Sequence, residues 1–145
     1  MDLSEKGIYC LIFENKACKL NIGKKREFSF PAGFHVYVGS ALGPGGLKRV
    51  VRHINLSRNK DKKPGWHVDY INLDPSFRLV SVICATTSAK LECSLASGIG
   101  GDSALGFGCT DCTCSSHLFY REKNPIPEII EAFKALKLSS FVLEL

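Results

Sequence analysis

The chain has 145 residues, of which 45% are hydrophobic and 23% charged, a composition typical of one globular domain with its own core. Its longest apolar runs have the length of strands, which excludes a membrane-spanning helix. The formal net charge of +5 favours a polyanion or an anionic surface as partner but identifies neither. The amino-terminal MDLSEKGIY lacks the basic and apolar regions of a signal peptide, so we expect a cytoplasmic protein.

The first part of the chain predicts three strands. Residues 7–13 (GIYCLIF) combine β-branched and aromatic residues without a breaker, which is typical of a strand. Residues 17–23 are interpreted as its hairpin partner. After the turn signal PAG, residues 34–39 (FHVYVG) form the next strand. By alternation, Tyr9 shares a face with Leu11, so the phenols of Tyr9 and Tyr37 lie on one side if the two strands pair.

A glycine-rich segment then leads into a cationic helix. Spacing at i, i+3, i+4 and i+7 predicts an apolar face made of Leu47, Val50, Val51 and Ile54. The predicted opposite face carries Arg49, Arg52 and His53, an arrangement that an ordinary solvated face would also show. The glycine-rich segment is not a Walker loop, because Pro44 stands at the second glycine position. The glycine-rich segment and the cationic helix therefore suggest that the protein binds an anion, but not a nucleoside triphosphate held in a Walker loop.

The second part of the chain alternates strands and helices. Residues 57–65 form a polar, cation-rich loop, and residues 66–73 (WHVDYINL) fit either a short helix or a strand. Residues 78–85 predict a buried strand, and the caps at 86–88 predict a helix through about Ser97. SHLFY is the predicted last core strand, and residues 125–136 predict a helix with acidic residues early and lysines late. The whole chain, residues 1–145, is thus predicted to be a single α+β domain.

Seven cysteines are many for this length, and in a reducing compartment free core thiols or metal ligands are the better explanations. Cys10 and Cys84 lie inside apolar strands and are expected to be small core residues. The segment CTDCTCSSH has spacing C-x2-C-x-C-x2-H and a soft ligand set that suits tetrahedral zinc. Three interpretations stay open for it: structural zinc, redox-active cysteines, or ordinary packed thiols. The four candidate ligands of Zn²⁺ are Cys109, Cys112, Cys114 and His117.

Four landmarks in register resemble the GIY-YIG nuclease superfamily. They are Gly7-Ile8-Tyr9, Tyr37-Val38-Gly39, the helix bearing Arg49 and His53, and Glu92 on a later helix. The longer segments YVGSALGPGGL, WHVDY and GFGCTDCTCSSHLFY resemble a poorly characterised branch of that superfamily, known as stand-alone archaeal and bacterial proteins and as fusions to endonuclease III. The resemblance implies a small antiparallel sheet flanked by helices, and a nuclease that cleaves phosphodiesters with one divalent ion, Mg²⁺ or Mn²⁺.

The resemblance also implies roles for individual residues. Glu92 would hold the metal ion, and Arg49 would hold a non-bridging phosphate oxygen. Tyr9 and Tyr37 would line the site, and one of them would orient or deprotonate the attacking water, with nearby cations lowering the pKa of the phenol. His53, one turn beyond Arg49, would bind phosphate or relay a proton. The residues expected to bind the nucleic-acid backbone are Lys48, Arg52, Lys60, Lys62 and Lys63.

One departure from the superfamily pattern bears on activity. Many members carry an asparagine downstream of the metal-binding glutamate, and residues 93–107 contain none; Asp102 and His117 are the candidate substitutes. The expected partner is nucleic acid, DNA before RNA, with a repair protein as a further partner, and no membrane. The alternatives to a nuclease are a nucleic-acid-binding module without turnover and a zinc-stabilised structural module.

Overall fold

A five-stranded antiparallel sheet forms the centre of the molecule. The computed structural model describes residues 2–22, 26–103 and 116–145. The sheet has the order β6-β4-β1-β5-β7, and β2 and β3 form a separate two-stranded sheet. The strands are β1 (Gly7–Asn15), β2 (Cys18–Ile22), β3 (Arg26–Phe30), β4 (Gly33–Ala41), β5 (Phe77–Thr86), β6 (Leu118–Arg121) and β7 (Phe141–Glu144). The helices are α1 (Lys48–Asn59), α2 (His67–Leu73), α3 (Glu92–Ile99) and α4 (Ile126–Ala135). The protein is α+β, as the sequence predicts.

Both faces of the sheet are covered, which explains why β1 is apolar at almost every position. One face carries Tyr9, Leu11 and Phe13 of β1 and packs against α1, α2 and the β2–β3 hairpin. The other face carries the intervening residues of β1 and packs against α3 and α4. A strand between two apolar layers gains stability from every buried side chain, so it reads as a continuous hydrophobic run rather than an alternating one.

The expected pairing of residues 17–23 with the first strand is wrong. β2 pairs with β3, with Cys18 opposite Phe30 and Ile22 opposite Arg26, whereas β1 pairs with β4 on one side and with β5 on the other. Both edges of β1 are thus used by longer strands that bury more apolar surface. Phe30 of the small hairpin packs edge-on against Phe77 at the large sheet, which anchors the hairpin to the core.

The expected apolar face of α1 is partly wrong. The residues of α1 that are buried are Val50, His53 and Leu56, whereas Val51 is 40% exposed. The face of α1 that points to the sheet therefore differs from the predicted one. His53, which we expected on the solvated face, lies on the buried face, where its ring is hydrogen-bonded to the Tyr9 hydroxyl. A prediction from polarity alone puts histidine on the solvent side of a helix, and it fails where the ring has a hydrogen-bond partner in the core.

The helices α2 and α3 and the strand β7 also differ from the sequence prediction or decide between its alternatives. Residues 67–73, which fit either a helix or a strand by sequence, are a helix. His67 and Asp69 are two residues apart, so they would share a face in a strand but do not share one in this helix. Helix α3 begins at Glu92 rather than near residue 88, because β5 continues to Thr86 and a turn follows in which the Ala89 N–H donates to Thr87. Strand β7 was not expected, since its four residues carry too short a pattern to be read from sequence.

The structure also tests the predictions about the state of the cysteines and about membrane-spanning helices. Cys10 and Cys84 are buried and form no disulfide, as predicted, and Cys18 forms none either. Cys93 is disulfide-bonded, so the expectation of free thiols or metal ligands does not hold there. Across residues 2–22, 26–103 and 116–145, no helix has the length and apolar character needed to cross a membrane.

Candidate active site

A cavity of about 290 Å³ brings together residues from both halves of the chain. Four of the five residues expected to be catalytic line it, namely Tyr9, Tyr37, Arg49 and Glu92. The other described residues that line it are Gly39, Ser40, Gly65, Trp66 and His67. The cavity thus lies where one face of the sheet, helix α1, the start of α2 and the start of α3 meet.

Strand register places the two tyrosines. Strands β1 and β4 are antiparallel, with Leu11 opposite Tyr37 and Tyr9 opposite Gly39. Directly opposed residues point to the same face, so both phenols lie on the face that α1 covers, as the sequence predicts. Gly39 is needed beside Tyr9, because a Cβ at this position would lie 2.5 Å from the Tyr9 hydroxyl. The glycine of Tyr37-Val38-Gly39 therefore makes room for the tyrosine of the neighbouring strand.

Tyr9 and His53 form a buried pair behind the cavity wall. The Tyr9 hydroxyl lies 3.0 Å from His53 Nε2, and the two residues are 2% and 0% exposed. Burial lowers the pKa of His53 to about 4, although the nearby Asp69 carboxylate acts to raise it. The imidazole is therefore neutral at pH 7. His53 Nδ1 has no hydrogen-bond partner among the described residues. His53 is not among the residues lining the cavity, so its connection with the cavity runs through Tyr9.

The expectation that cations lower the pKa of the phenol is wrong for Tyr9. Burial raises the pKa of Tyr9, and Tyr37 and Glu92 act in the same direction, whereas Arg49 opposes them. Desolvation of the charged form outweighs one neighbouring cation. Tyr9 is therefore a neutral phenol at pH 7, able to donate its proton to His53 Nε2.

Arg49 reaches the cavity from α1 in a fixed orientation. Its Nη1 donates to the Ser40 carbonyl oxygen at 2.8 Å, and its guanidinium carbon lies 4.8 Å from the centre of the Trp66 ring. These two contacts hold the guanidinium between β4 and the loop before α2. Its Nη2 lies near Gly43 in the glycine-rich segment, 4.0 Å from the position that a Cβ on this residue would take.

Glu92 is the first residue of α3 and supplies the carboxylate of the cavity among the residues the structure describes. The amino-terminal end of a helix carries partial positive charge, which favours a carboxylate there. Glu92 Oε1 lies 3.6 Å from His117 Nε2, and the sulfur of Cys93 lies 4.0 Å from the same nitrogen. Burial lowers the pKa of His117 although Glu92 opposes this shift, so the ring beside Glu92 is neutral at pH 7.

Asp69 organises the opposite wall of the cavity. Its carboxylate accepts two hydrogen bonds from Arg52, at 3.1 and 2.9 Å, and one each from the backbone N–H groups of Gly65 and Trp66. Burial opposes ionisation, but these hydrogen bonds dominate and the pKa of Asp69 is lowered. Arg52, expected to bind phosphate, is thus engaged with a buried carboxylate.

Sequence reasoning missed Trp66 and Gly65 as lining residues. The signal was present in the quoted segment WHVDY, which contains the one tryptophan of the chain. The branch-level resemblance makes His67 and Asp69 of this segment site-lining candidates; His67 lines the cavity, whereas Asp69 is buried behind its wall. Of the two candidate substitutes for the missing asparagine, His117 lies beside Glu92, whereas Asp102 is exposed.

The remaining candidate residues are dispersed. Lys48 is exposed at the start of α1, and Lys62 and Lys63 are exposed in the loop after it. Lys60 ends α1 with its Nζ donating to the backbone carbonyl of Asn72 at 2.8 Å, so it holds α1 to α2. None of the four lines the cavity, so any contact with nucleic acid would be outside it.

The candidate zinc site falls largely outside the described residues. Cys109, Cys112 and Cys114 lie in residues 104–115, beyond what the structure describes, and His117 is buried. Within the described ranges, no group of three or more histidine, cysteine, aspartate or glutamate side chains is arranged to hold a metal ion.

A family model for a domain of unknown function, DUF123, matches residues 8–138. The chain belongs to the DUF123 family. This family is known to be GIY-YIG-like, which agrees with the landmarks of the sequence. All residues that line the cavity fall within the matched range. No curated protein and no solved structure matches the chain significantly.

Proposed function

We propose that this DUF123 protein is a metal-dependent endonuclease that hydrolyses phosphodiester bonds of nucleic acid, DNA before RNA. The observation that carries the proposal is the convergence of Tyr9, Tyr37, Arg49 and Glu92 on one cavity. These residues come from four separate elements, and the superfamily resemblance selects the same four. A phenol pair, a guanidinium and a carboxylate together suit the attack of water on a phosphodiester.

The donor set fits Mg²⁺ or Mn²⁺. Magnesium ions in proteins keep several waters and bind through one or two carboxylates together with substrate phosphates. Glu92 supplies one carboxylate, which is 19% exposed and faces the cavity. A metal ion there would act as a Lewis acid on the phosphate and stabilise the leaving oxygen. His117 Nε2 lies 3.6 Å from Glu92 Oε1 and would therefore be next to the ion, where it would help to orient the carboxylate.

Arg49 binds the phosphate in this proposal. Its Nη1 donates to the Ser40 carbonyl oxygen, and the guanidinium also interacts with the Tyr9 hydroxyl, so a non-bridging oxygen would take the donors that remain on the cavity side. The fixed guanidinium needs little reorganisation when charge develops on the phosphate, and this is the main source of electrostatic stabilisation at such sites. Partners on two sides make this arginine a positioned donor rather than a mobile surface cation.

Tyr9 relays a proton from the attacking water to His53. The phenol is neutral and hydrogen-bonded to His53 Nε2, and His53 is neutral because burial lowers its pKa to about 4. As the water loses a proton to the Tyr9 oxygen, the Tyr9 hydroxyl proton passes to Nε2, so the buried phenol never carries a full negative charge. Tyr37, which is only partly buried, orients the water from β4.

The branch-level resemblance supports a finer proposal on context. The protein resembles stand-alone archaeal and bacterial relatives of the domain that is also fused to endonuclease III. A cytoplasmic role in DNA repair or processing follows, with a repair protein as partner. The net charge of +5 agrees with a nucleic-acid substrate.

A nucleic-acid-binding module without turnover is the second candidate. It is favoured by the single carboxylate that the described residues bring to the cavity and by the missing asparagine in residues 93–107. Such a module would keep the phosphate contact of Arg49 but could not hold a metal ion firmly enough for hydrolysis.

The test is a cleavage assay with labelled single-stranded, duplex, flapped and branched DNA and RNA, with Mg²⁺, with Mn²⁺ and with EDTA. We expect cleavage that requires metal and is reduced at least about 100-fold in Glu92→Gln. The matched control is Glu131→Gln, which makes the same chemical change on the exposed side of α4. Cleavage in EDTA, or equal cleavage by both variants, would contradict the proposal. Binding of nucleic acid without cleavage under every condition would favour the binding module.

A further inference from the structure

Trp66 is a large aromatic side chain that is 41% exposed at the wall of the cavity. It belongs to neither of the hydrophobic clusters formed by the described residues. An aromatic ring of this size normally stabilises a protein by burial, and exposure forfeits much of that stabilisation. The position of the ring beside Tyr9, Arg49 and Glu92 therefore calls for an explanation other than core packing.

The backbone of Trp66 is held firmly by Asp69. The Trp66 N–H donates to Asp69 Oδ2 at 2.9 Å, and the Asp69 N–H donates to the Trp66 carbonyl oxygen at 3.0 Å. Since Asp69 is fully buried and bound by Arg52, the Trp66 backbone is tied to both α1 and α2. A side chain built on this backbone loses little conformational entropy when a ligand contacts it.

Two arginines contact the indole from the side of α1. The guanidinium carbons of Arg52 and Arg49 lie 4.1 and 4.8 Å from the ring centroid. They are one turn apart on the same helix, so they approach the ring from the helix side and fix its plane by cation–π contacts. The indole thus contacts α1 through these two arginines, while Trp66 as a whole stays 41% exposed at the wall of the cavity.

We propose that Trp66 is a stacking platform for an unpaired base next to the phosphate bound by Arg49. The substrate class is then DNA with unpaired nucleotides at the cleavage position, such as a flap, a bulge or a single strand, rather than continuous duplex. Base faces in a continuous duplex are covered by neighbouring pairs, whereas an unpaired base offers its face to an aromatic side chain. Arg49 contacts both the ring and the cavity, which places base and phosphate side by side. This inference rests on the proposed nuclease site for its phosphate subsite.

The first measurement uses Trp66 as its own probe, because the chain contains one tryptophan. Wild-type protein in EDTA is titrated with DNA carrying 2-aminopurine in a 5′ flap, in a single strand or in a continuous duplex. We expect quenching of the tryptophan and a change in 2-aminopurine emission with the flap and the single strand but not with the duplex. Equal quenching by paired and unpaired DNA, or a titration with bound flap and unchanged tryptophan emission, would overturn the stacking proposal.

The second measurement compares substitutions of Trp66 by fluorescence anisotropy of labelled DNA. Trp66→Leu keeps apolar volume but loses the ring, and we expect it to weaken flap binding roughly 5- to 100-fold while duplex binding is unchanged. Trp66→Phe keeps an aromatic face and should retain most of the affinity. Phe141→Leu, which removes another exposed ring on β7, is the matched control and should bind as wild type does. Circular dichroism checks that each variant is folded.

The outcomes separate the two proposals. Preference for unpaired DNA that disappears in Trp66→Leu supports stacking, whether or not the DNA is cleaved. Metal-dependent cleavage with the same flap preference in Trp66→Leu and wild type overturns stacking and leaves the nuclease proposal standing. Failure of the wild-type protein to bind any of these DNAs overturns stacking, whereas the nuclease proposal is then decided by the cleavage assay with metal, DNA and RNA.

Discussion

At the scale of single residues, the environment of Tyr9 determines what its phenol can do. The ring is buried against Gly39, and the hydroxyl contacts His53 Nε2 at 3.0 Å. Burial raises the pKa of Tyr9 and lowers that of His53, so both groups are neutral at pH 7. A relay through this neutral pair takes the proton to His53 Nε2 and leaves the positive charge on the imidazole ring, so no negative charge has to be placed on the buried phenol oxygen.

Tyr9→Phe removes the hydroxyl and keeps the ring over Gly39. We expect cleavage to fall about 100- to 10,000-fold while DNA affinity changes little, because the relay to His53 is lost but the phosphate contact of Arg49 stays. Single-turnover rates and anisotropy measure the two quantities separately. The matched control is Tyr120→Phe, which removes a hydroxyl that donates to the Ala32 carbonyl outside the cavity. Unchanged turnover in Tyr9→Phe would exclude the relay.

At the scale of secondary-structure elements, one carboxylate connects α1, α2 and the loop between them. Asp69 accepts hydrogen bonds from Arg52 of α1 and from the N–H groups of Gly65 and Trp66 at the start of α2. Free N–H groups at a helix start need acceptors, and a buried carboxylate needs donors. Asp69 thus accepts hydrogen bonds from a side chain of α1 and from backbone N–H groups at the start of α2, and it also fixes the wall of the cavity that carries Trp66.

Asp69→Ala should destabilise the protein by about 2–4 kcal/mol, because it leaves the guanidinium and two backbone donors without their acceptor. Urea unfolding measures this difference in the free energy of unfolding. The same variant should change the emission of Trp66, since the loop that holds the ring is released. Asp61→Asn, in the exposed loop after α1, is the control and should unfold as wild type does. A wild-type unfolding curve for Asp69→Ala would show that Asp69 is not a structural link.

At the scale of the whole molecule, buried neutral histidines relate stability to pH. Burial lowers the pKa of His35 and of His53 to about 4 each, from a normal value near 6.5. His35 is enclosed by aromatic rings, including Phe30 and Tyr120, and its Nδ1 lies 2.7 Å from the Asn15 amide oxygen. The unfolded chain binds protons at these positions at a higher pH than the folded chain does.

The free energy of unfolding should therefore be highest above pH 6.5 and fall as the pH decreases from about 6.5 to 4. Both states are neutral at these histidines above the window, and only the unfolded state is protonated within it, so acid favours unfolding. Each histidine contributes a loss of about 3 kcal/mol at most across the window. Urea unfolding at a series of pH values measures it, and His35→Gln should make the decrease smaller. A decrease of wild-type size in His35→Gln would contradict the assignment.

Local pattern determined much of this protein. The apolar runs of β1 and β5, the cap and charge pattern of α4, and the α+β class follow from periodicity and propensity, which depend on residues close in sequence. The alternation rule placed Tyr9 and Tyr37 on one face once their strands paired. Sequence motifs also selected four of the residues that line the cavity, Tyr9, Tyr37, Arg49 and Glu92.

Only the tertiary structure decided the contacts between distant segments. It paired β1 with β4 and β5 rather than with β2, rotated α1 so that His53 meets Tyr9, and placed Trp66 beside Arg49. The same contacts set the pKa values of Tyr9 and Asp69, because burial and charged partners contributed by other elements determine them. A sequence pattern specifies which side of an element is apolar, whereas the partner of each side chain depends on how all elements pack at once.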